Sequence, residues 1–364
     1  MNKLYGGDLY EIARQSNLKP DEIIDFSVAI NPLGLSSMAR RKVTKKGLAS
    51  ILRYPDSQCS EICRTLAQFH GLQEGQFLAG SGSTEFIYAI PRVLKIRRAL
   101  VVTPALSHYE NALEICQADC QIDFFETREE EGFELRIEGI LSALTQGYDA
   151  LYLANPNALT GILVEKREML RILARTEQEK IWFILDEAFI DFIEEESLKA
   201  AALTSSKLLI LRSMTKFYSL PGLRVGYMLS NPEAIREFAL QKEPWTVNAM
   251  AQIAASESLK DSRYIARTQK TIRLERERLV EGLRAIPGFI PYPGRANYLL
   301  VQLHPGLKLT AEELREKLIP LGILIRDCRS FHHMGAFFFR IAVRSREQNR
   351  TLLKALQRIR KEIG

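Results

Sequence analysis

Between Phe77 and Leu229 the chain alternates short, continuously apolar runs with amphipathic stretches, and this alternation restricts the fold more than any other feature. The runs Phe77–Ala79, Ala99–Thr103, Gln121–Phe125, Ala150–Ala154, Ile181–Leu185, Leu208–Leu211 and Val225–Leu229 read as strands. Helical patterns lie between them, up to Leu94 and over Tyr109–Gln117, Ile137–Leu144 and Glu165–Glu177. Strands without polar alternation are buried on both faces, so the pattern predicts an α/β fold with a mostly parallel sheet covered by helices. Polar residues follow the strand ends repeatedly, which is where open α/β sheets bind ligands.

The flanks have a different texture. Leu9–Gln15, Met38–Leu52 and Glu61–His70 read as helices, with Asn31-Pro32-Leu33-Gly34 as a turn. A long helical region is predicted from Pro232 to Ala285. Beyond Pro287-Gly288, short strands at Tyr298–Leu303, Ile323–Arg326 and Phe337–Val343 and helices at Thr310–Leu318 and Arg346–Lys361 predict a smaller α+β domain. A chain of 364 residues has room for two domains.

Charge and composition exclude several classes. The formal charge is +6, but the basic stretches, such as Arg273 to Arg278, are interrupted by glutamates, as on a solvated helix face rather than a nucleic-acid stripe. No apolar run approaches the ~18 residues of a membrane span, and no basic-then-apolar leader opens the sequence. The five cysteines (Cys59, Cys63, Cys116, Cys120, Cys328) include two i, i+4 pairs without further Cys or His nearby. They predict free thiols in a reducing, cytoplasmic setting and no metal.

Candidate chemistry centres on Ser213-Met214-Thr215-Lys216, with Arg224 eight residues after the lysine. A lysine partly shielded from water has an accessible neutral form that can attack an aldehyde. Hydroxyls and an arginine can hold a phosphate. Gly80-Ser81-Gly82-Ser83-Thr84-Glu85 joins a strand to a helix, where a close backbone approach and free N–H groups suit an anion. Asp186 ends a buried strand and requires a cation partner, which a protonated pyridine nitrogen would provide. Asn155-Pro156-Asn157 is a polar turn after another strand. Tyr109, after Thr103-Pro104, can stack on a flat ring.

In this order and spacing the chain resembles fold-type I pyridoxal-phosphate enzymes of the aspartate aminotransferase group, and within it the threonine-phosphate decarboxylases of cobalamin biosynthesis. Further carriers of the resemblance are Gly6-Gly7, Asp25-Phe26-Ser27, Ile30 to Gly34, Arg53-Tyr54-Pro55-Asp56, Leu185 to Phe192, Pro244 to Ala249, Pro293 to Leu300 and Arg340 to Ser345. The resemblance implies pyridoxal 5′-phosphate joined covalently to Lys216, with Asp186 holding the ring nitrogen protonated and Tyr109 stacked on the ring. It implies a cofactor grip made by Ser83, Thr84, Asn157, Ser213, Thr215 and Arg224, and by Tyr54 reaching over from the other subunit of a homodimer. Gly6, Arg326 and Arg340 are the implied substrate residues, Arg340 for a carboxylate and Arg326 for a phosphate. The implied substrate is a small phosphorylated amino acid, threonine phosphate, decarboxylated to (R)-1-aminopropan-2-yl phosphate; serine phosphate is a close alternative.

The chain departs from the family pattern on the substrate side: Tyr5 stands for His, Ala29 and Ala158 for Asn. Phe189 stands where histidinol-phosphate aminotransferases carry Tyr. An aminotransferase of the same fold and a cofactor-binding protein without catalysis are the alternative readings. The expected organisation is an N-terminal segment, 1–30, packed with the small domain, a large cofactor domain over 31–260 and a small domain over 261–364.

Overall fold

The computed structural model describes residues 9–116 and 119–363. Seven strands form the central sheet, in the spatial order Phe77–Gly80, Gly226–Leu229, Leu208–Ser213, Trp182–Asp186, Ala150–Ala154, Arg98–Thr103, Gln121–Glu126. Neighbours are parallel except around Gly226–Leu229, which is antiparallel to both of its partners. The link from Ser213 to Gly226 contains only the 3-10 turn Pro221–Leu223, and without a crossover helix the chain returns antiparallel.

The two faces of the sheet feed two cores. Leu100, Val102, Phe183, Leu185, Leu208 and Ile210 pack with the helices Ser60–His70, Lys166–Gln178 and Ala249–Lys260. Their neighbours Ala99, Val101, Ile184, Leu209 and Leu211 pack with Ser83–Leu94, Ser107–Cys116 and Pro232–Gln241. This is the period-two alternation of a strand with both faces covered.

A second sheet, antiparallel, has the order Arg326–Asp327, Phe338–Ala342, Tyr298–Leu303, Phe289–Pro291. Its core joins Leu299, Val301, Phe339 and Ile341 to Ile272 and Leu279 of Ser262–Arg284 and to Leu352 and Leu356 of Arg346–Glu362. The N-terminal part packs here too. Ile24–Asp25 pairs in parallel with Ile323–Leu324, Phe26 enters this core, and its carbonyl accepts from Ala342 N at 2.8 Å.

Two sequence expectations need correction, and one strand was not foreseen. The region Pro232 to Ala285 is three helices, Pro232–Gln241, Ala249–Lys260 and Ser262–Arg284. Pro244 disfavours helical backbone at the residue before it, and the Asn248 and Asp261 side chains then cap the two later helices afresh. The run Ile323–Arg326 is two short strands in different sheets, a change of partner that apolar content does not signal. Phe289–Pro291, only three residues long, was not legible as a strand. Among the described residues no helix is long and apolar enough to cross a membrane, and the five cysteines are free.

Arg212 lies at the heart of the sheet with no exposed surface. Its Nε is 2.8 Å from Glu187 Oε2, one terminal nitrogen is 2.8 Å from Glu194 Oε2, and the other donates to Ser197 Oγ at 2.8 Å. Glu187 also accepts from Ser197 Oγ and Leu198 N. Replacing one partner of such a buried pair leaves an uncompensated charge, which costs about 3–5 kcal/mol. Arg212→Leu is therefore expected to lose stability on that scale in urea unfolding, whereas Arg64→Leu, at an exposed ion pair, changes it by less than ~1 kcal/mol.

Candidate active site

The carboxyl ends of the parallel strands converge on one cleft of about 470 Å³. Trp182–Asp186 and Leu208–Ser213 are adjacent, so Asp186 and Ser213 emerge side by side, and Thr215 and Lys216 follow on the next turn. Alternation sends Asp186 and Ser213 toward the cleft, while Glu187 and Arg212 point into the ion network behind it. Asn31 fastens the lysine loop. Its N–H donates to the Lys216 carbonyl at 3.1 Å, and its amide donates to Phe217 O and bonds to the Tyr264 and Thr268 hydroxyls.

One end of the cleft is an anion cradle. The helix Ser83–Leu94 begins there, with Ser83 and Thr84 in its first turn and free N–H groups directed outward. Gly82, at φ 77°, lets the Arg224 guanidinium approach so closely that a Cβ at that position would lie 2.7 Å from its Nη2. Gly226 is equally constrained, since a Cβ there would lie 2.6 Å from Ser83 N and Arg212 O. Ser213 Oγ and Thr215 Oγ1 are hydrogen-bonded to each other at 2.8 Å on the same wall.

Lys216 and Asp186 occupy the floor. Loss of water contact, reinforced by Arg340 and Arg224, pushes the Lys216 amine down to about 8, while Asp186 pulls the other way. Burial raises the Asp186 carboxyl above its usual range, against the opposing effects of Tyr109, Ala188 N–H and Lys216. Tyr109 donates to Asp186 Oδ2 at 2.6 Å and Ala188 N to Oδ1 at 2.9 Å. The site therefore holds a carboxylate ready for a cation and an amine that reaches its neutral form at moderate pH.

Three expected cofactor residues do not line the cleft of this chain. Tyr109 does not border the cleft: its ring packs beside Tyr152 at 5.6 Å and its hydroxyl is spent on Asp186, so it supports the carboxylate from below instead of presenting a stacking face. Leu106 and His108 from the same segment border the cleft. Asn157 is turned inward. Its amide nitrogen donates to Pro104 O and its oxygen accepts from Leu159 and Thr160 N–H, which stiffens the turn, and Ala158 takes the position in the cleft wall. Tyr54 is 82% exposed against Trp245, away from the cleft of its own chain. Gly6 and Tyr5 lie outside the described residues.

Arg326 and Arg340 enter from the second sheet, paired across it at adjacent strands. Arg340 donates to the carbonyls of Ala158 (2.8 Å) and Ser27 (3.2 Å), with its guanidinium 5.1 Å from the Tyr298 ring centroid. Ala29, Ala158, Ala188 and Phe189 form one buried apolar cluster with Ala296 and Tyr298, so the departures Ala29 and Ala158 fall on a single smooth wall. Sequence reading missed Glu110 and His332, which face each other at 2.9 Å in the cleft mouth. No local signal connects residues 222 positions apart.

A family model described as aminotransferase class I and II matches residues 21–356. The chain belongs to the class I and II aminotransferase family. This member is 38% identical over 360 residues to the threonine-phosphate decarboxylase of Salmonella typhimurium, covering 98% of this chain and 97% of the relative. Its fold is similar to solved structures of the histidinol-phosphate aminotransferase from Clostridium acetobutylicum (TM-score 0.86, 28% identity, 93% of this chain and 100% of that one) and of the L-threonine-O-3-phosphate decarboxylase from Porphyromonas gingivalis (TM-score 0.81, 25% identity, 93% and 100%).

The floor and cradle of this aminotransferase-family site fit the cofactor implied by the sequence resemblance. Among the described residues Asp186 has no arginine or histidine partner, and a ring N–H⁺ would satisfy it. The Gly82 gap, the helix N-terminus and the two hydroxyls suit a phosphate. An aldehyde should label Lys216 of the cofactor-free chain with a pH midpoint near 8, read by borohydride trapping and mass spectrometry. Asp186→Asn removes the group that raises the lysine pKa and is expected to move that midpoint lower.

Proposed function

We propose that this protein binds pyridoxal 5′-phosphate and decarboxylates a phosphorylated amino acid, threonine O-3-phosphate above all, to the corresponding amino-alcohol phosphate of cobalamin biosynthesis. The observation that carries this reading is the placement of two arginines, Arg326 and Arg340, in one cleft with Lys216 and Asp186. Two cations at one end suit a substrate with two anionic groups. The near-full-length similarity to a protein named threonine-phosphate decarboxylase supports the same substrate.

Each residue then has a definite task. Lys216 would hold the cofactor through Nζ, and its lowered pKa makes the neutral amine accessible for that bond. Ser83, Thr84, Ser213, Thr215 and Arg224 hold the cofactor phosphate. Asp186 keeps the proton on the ring nitrogen, and Tyr109 keeps Asp186 in place. The bound cofactor supplies an electron-poor ring that accepts the electron pair of the bond broken beside it. Arg340 would hold the substrate carboxylate and Arg326 the phosphate, and this two-point grip would orient the Cα–carboxylate bond for cleavage. Lys216 Nζ, having taken up the proton of the substrate ammonium, would be placed to deliver it to Cα once carbon dioxide is lost. Leu106 and the apolar wall of Ala29, Ala158 and Phe189 keep water from the reacting face.

The protein acts in the cytoplasm as a homodimer in this reading. The exposed apolar residues Leu48, Ile51, Leu52, Tyr54 and Trp245 supply a surface suited to a second copy, from which Tyr54 reaches the partner's cofactor phosphate.

Incubation with threonine phosphate should release one carbon dioxide per amine formed. With threonine phosphate and no 2-oxo acid present, the cofactor should stay in its aldehyde form, and accumulation of pyridoxamine phosphate would favour transamination instead. Arg340→Gln and Arg326→Gln are each expected to lower kcat/KM about 10- to 100-fold, the equivalent of ~1.5–3 kcal/mol for a hydrogen bond to a charged group. Lys216→Ala should abolish turnover.

A further inference from the structure

A second cavity, of about 450 Å³, opens between the helix Ser262–Arg284, the segment Phe192 to Glu195 and the turn at Arg295, and shares no lining residue with the active-site cleft. Lys270, Arg273 and Arg276 stand three residues apart on the helix, and Arg295 faces them from the turn. Like charges at this spacing repel one another. Among the described residues none of the four is in an ion pair. Arg276 is half-buried, and its hydrogen bonds go from one terminal nitrogen to the carbonyls of Arg295 (2.8 Å) and Ala296 (3.0 Å). Burial, then Arg295 and Arg273, press its pKa below the usual guanidinium value, with Glu277 as the opposing acid. Glu195 is the one carboxylate on the lining.

A concave surface where one sign of charge prevails, here four cations to one carboxylate, focuses its field and attracts counter-ions. Guanidinium groups with free N–H donors match phosphate oxygens best of all anions. We infer that this groove is a binding site for a small phosphorylated anion with two or more negative charges, separate from the substrate site. The bound anion offsets the mutual repulsion of the four cations and occupies the donors of Arg276 left over from the two carbonyls. The site is also joined to the cleft through the backbone, because Asn297, next to those carbonyls, donates to Ala29 O at 3.0 Å.

The test is isothermal titration of the cofactor-loaded full chain with inorganic pyrophosphate. Saturable binding of one pyrophosphate per chain is expected beyond any bound at the cleft. It should weaken at least tenfold in Arg273→Ser/Arg295→Ser and persist in Arg326→Gln. The exposed double variant should keep its melting temperature and turnover, which separates loss of the site from loss of the fold. Lys308→Ser/Lys317→Ser, on another surface, serves as a control for general attraction to a basic protein. Absence of saturable binding, its loss in Arg326→Gln with retention in the double variant, or an equal loss in the lysine control would each overturn the inference. Decarboxylation is measured separately, so the two readings fail independently.

Discussion

A carboxylate brought to the buried end of a strand sets the terms for the rest of the active site. Asp186 is removed from water, and among the described residues its direct partners are a tyrosine hydroxyl and a backbone N–H. Desolvation of this kind is unfavourable without a positive charge nearby. Lys216 offsets part of it, but the lysine is itself desolvated and lies among arginines that disfavour its charge. The floor is therefore complementary to a ligand that brings a cation to Asp186 and takes the amine of Lys216.

The sheet makes this possible through alternation. Asp186 and Glu187 are neighbours in sequence but point to opposite sides, as do Ser213 and Arg212. The ion network of Arg212, Glu187 and Glu194 lies directly behind the functional pair. Buried networks of this type add little net stability over apolar packing. Here the network holds the ends of two adjacent strands in register, which fixes the spacing of the residues that face the cleft.

The substrate side belongs to both sheets. Arg326 and Arg340 come from the antiparallel sheet, Ala158 and Phe189 from loops of the parallel one, and Ala29 from the N-terminal segment. Glu110 and His332 meet across the same mouth. Where polar side chains were expected from the resemblance, the chain presents methyl groups and a phenyl ring. The polar groups left on this side of the cleft include the two arginines, Arg326 and Arg340.

The sequence alone determined the alternating α/β order, most strand positions, and the adjacency of Asp186, Ser213 and Lys216 to strand ends, because burial on both faces leaves a local and unambiguous apolar pattern. It also carried the motifs by which the chain resembles its family. Only tertiary structure decided the reversed direction of Gly226–Leu229, the division of the 232–285 region into three helices and the switch of partner at Ile325, since each depends on what a segment packs against. The same holds within the site. Tyr109 and Asn157 were legible as polar groups at strand ends, but whether such a side chain points into a cleft or is consumed by a neighbour is settled by contacts with residues as distant as Asp186 and Pro104. Glu110 and His332 had no local mark at all, because their pairing exists only once the two sheets meet.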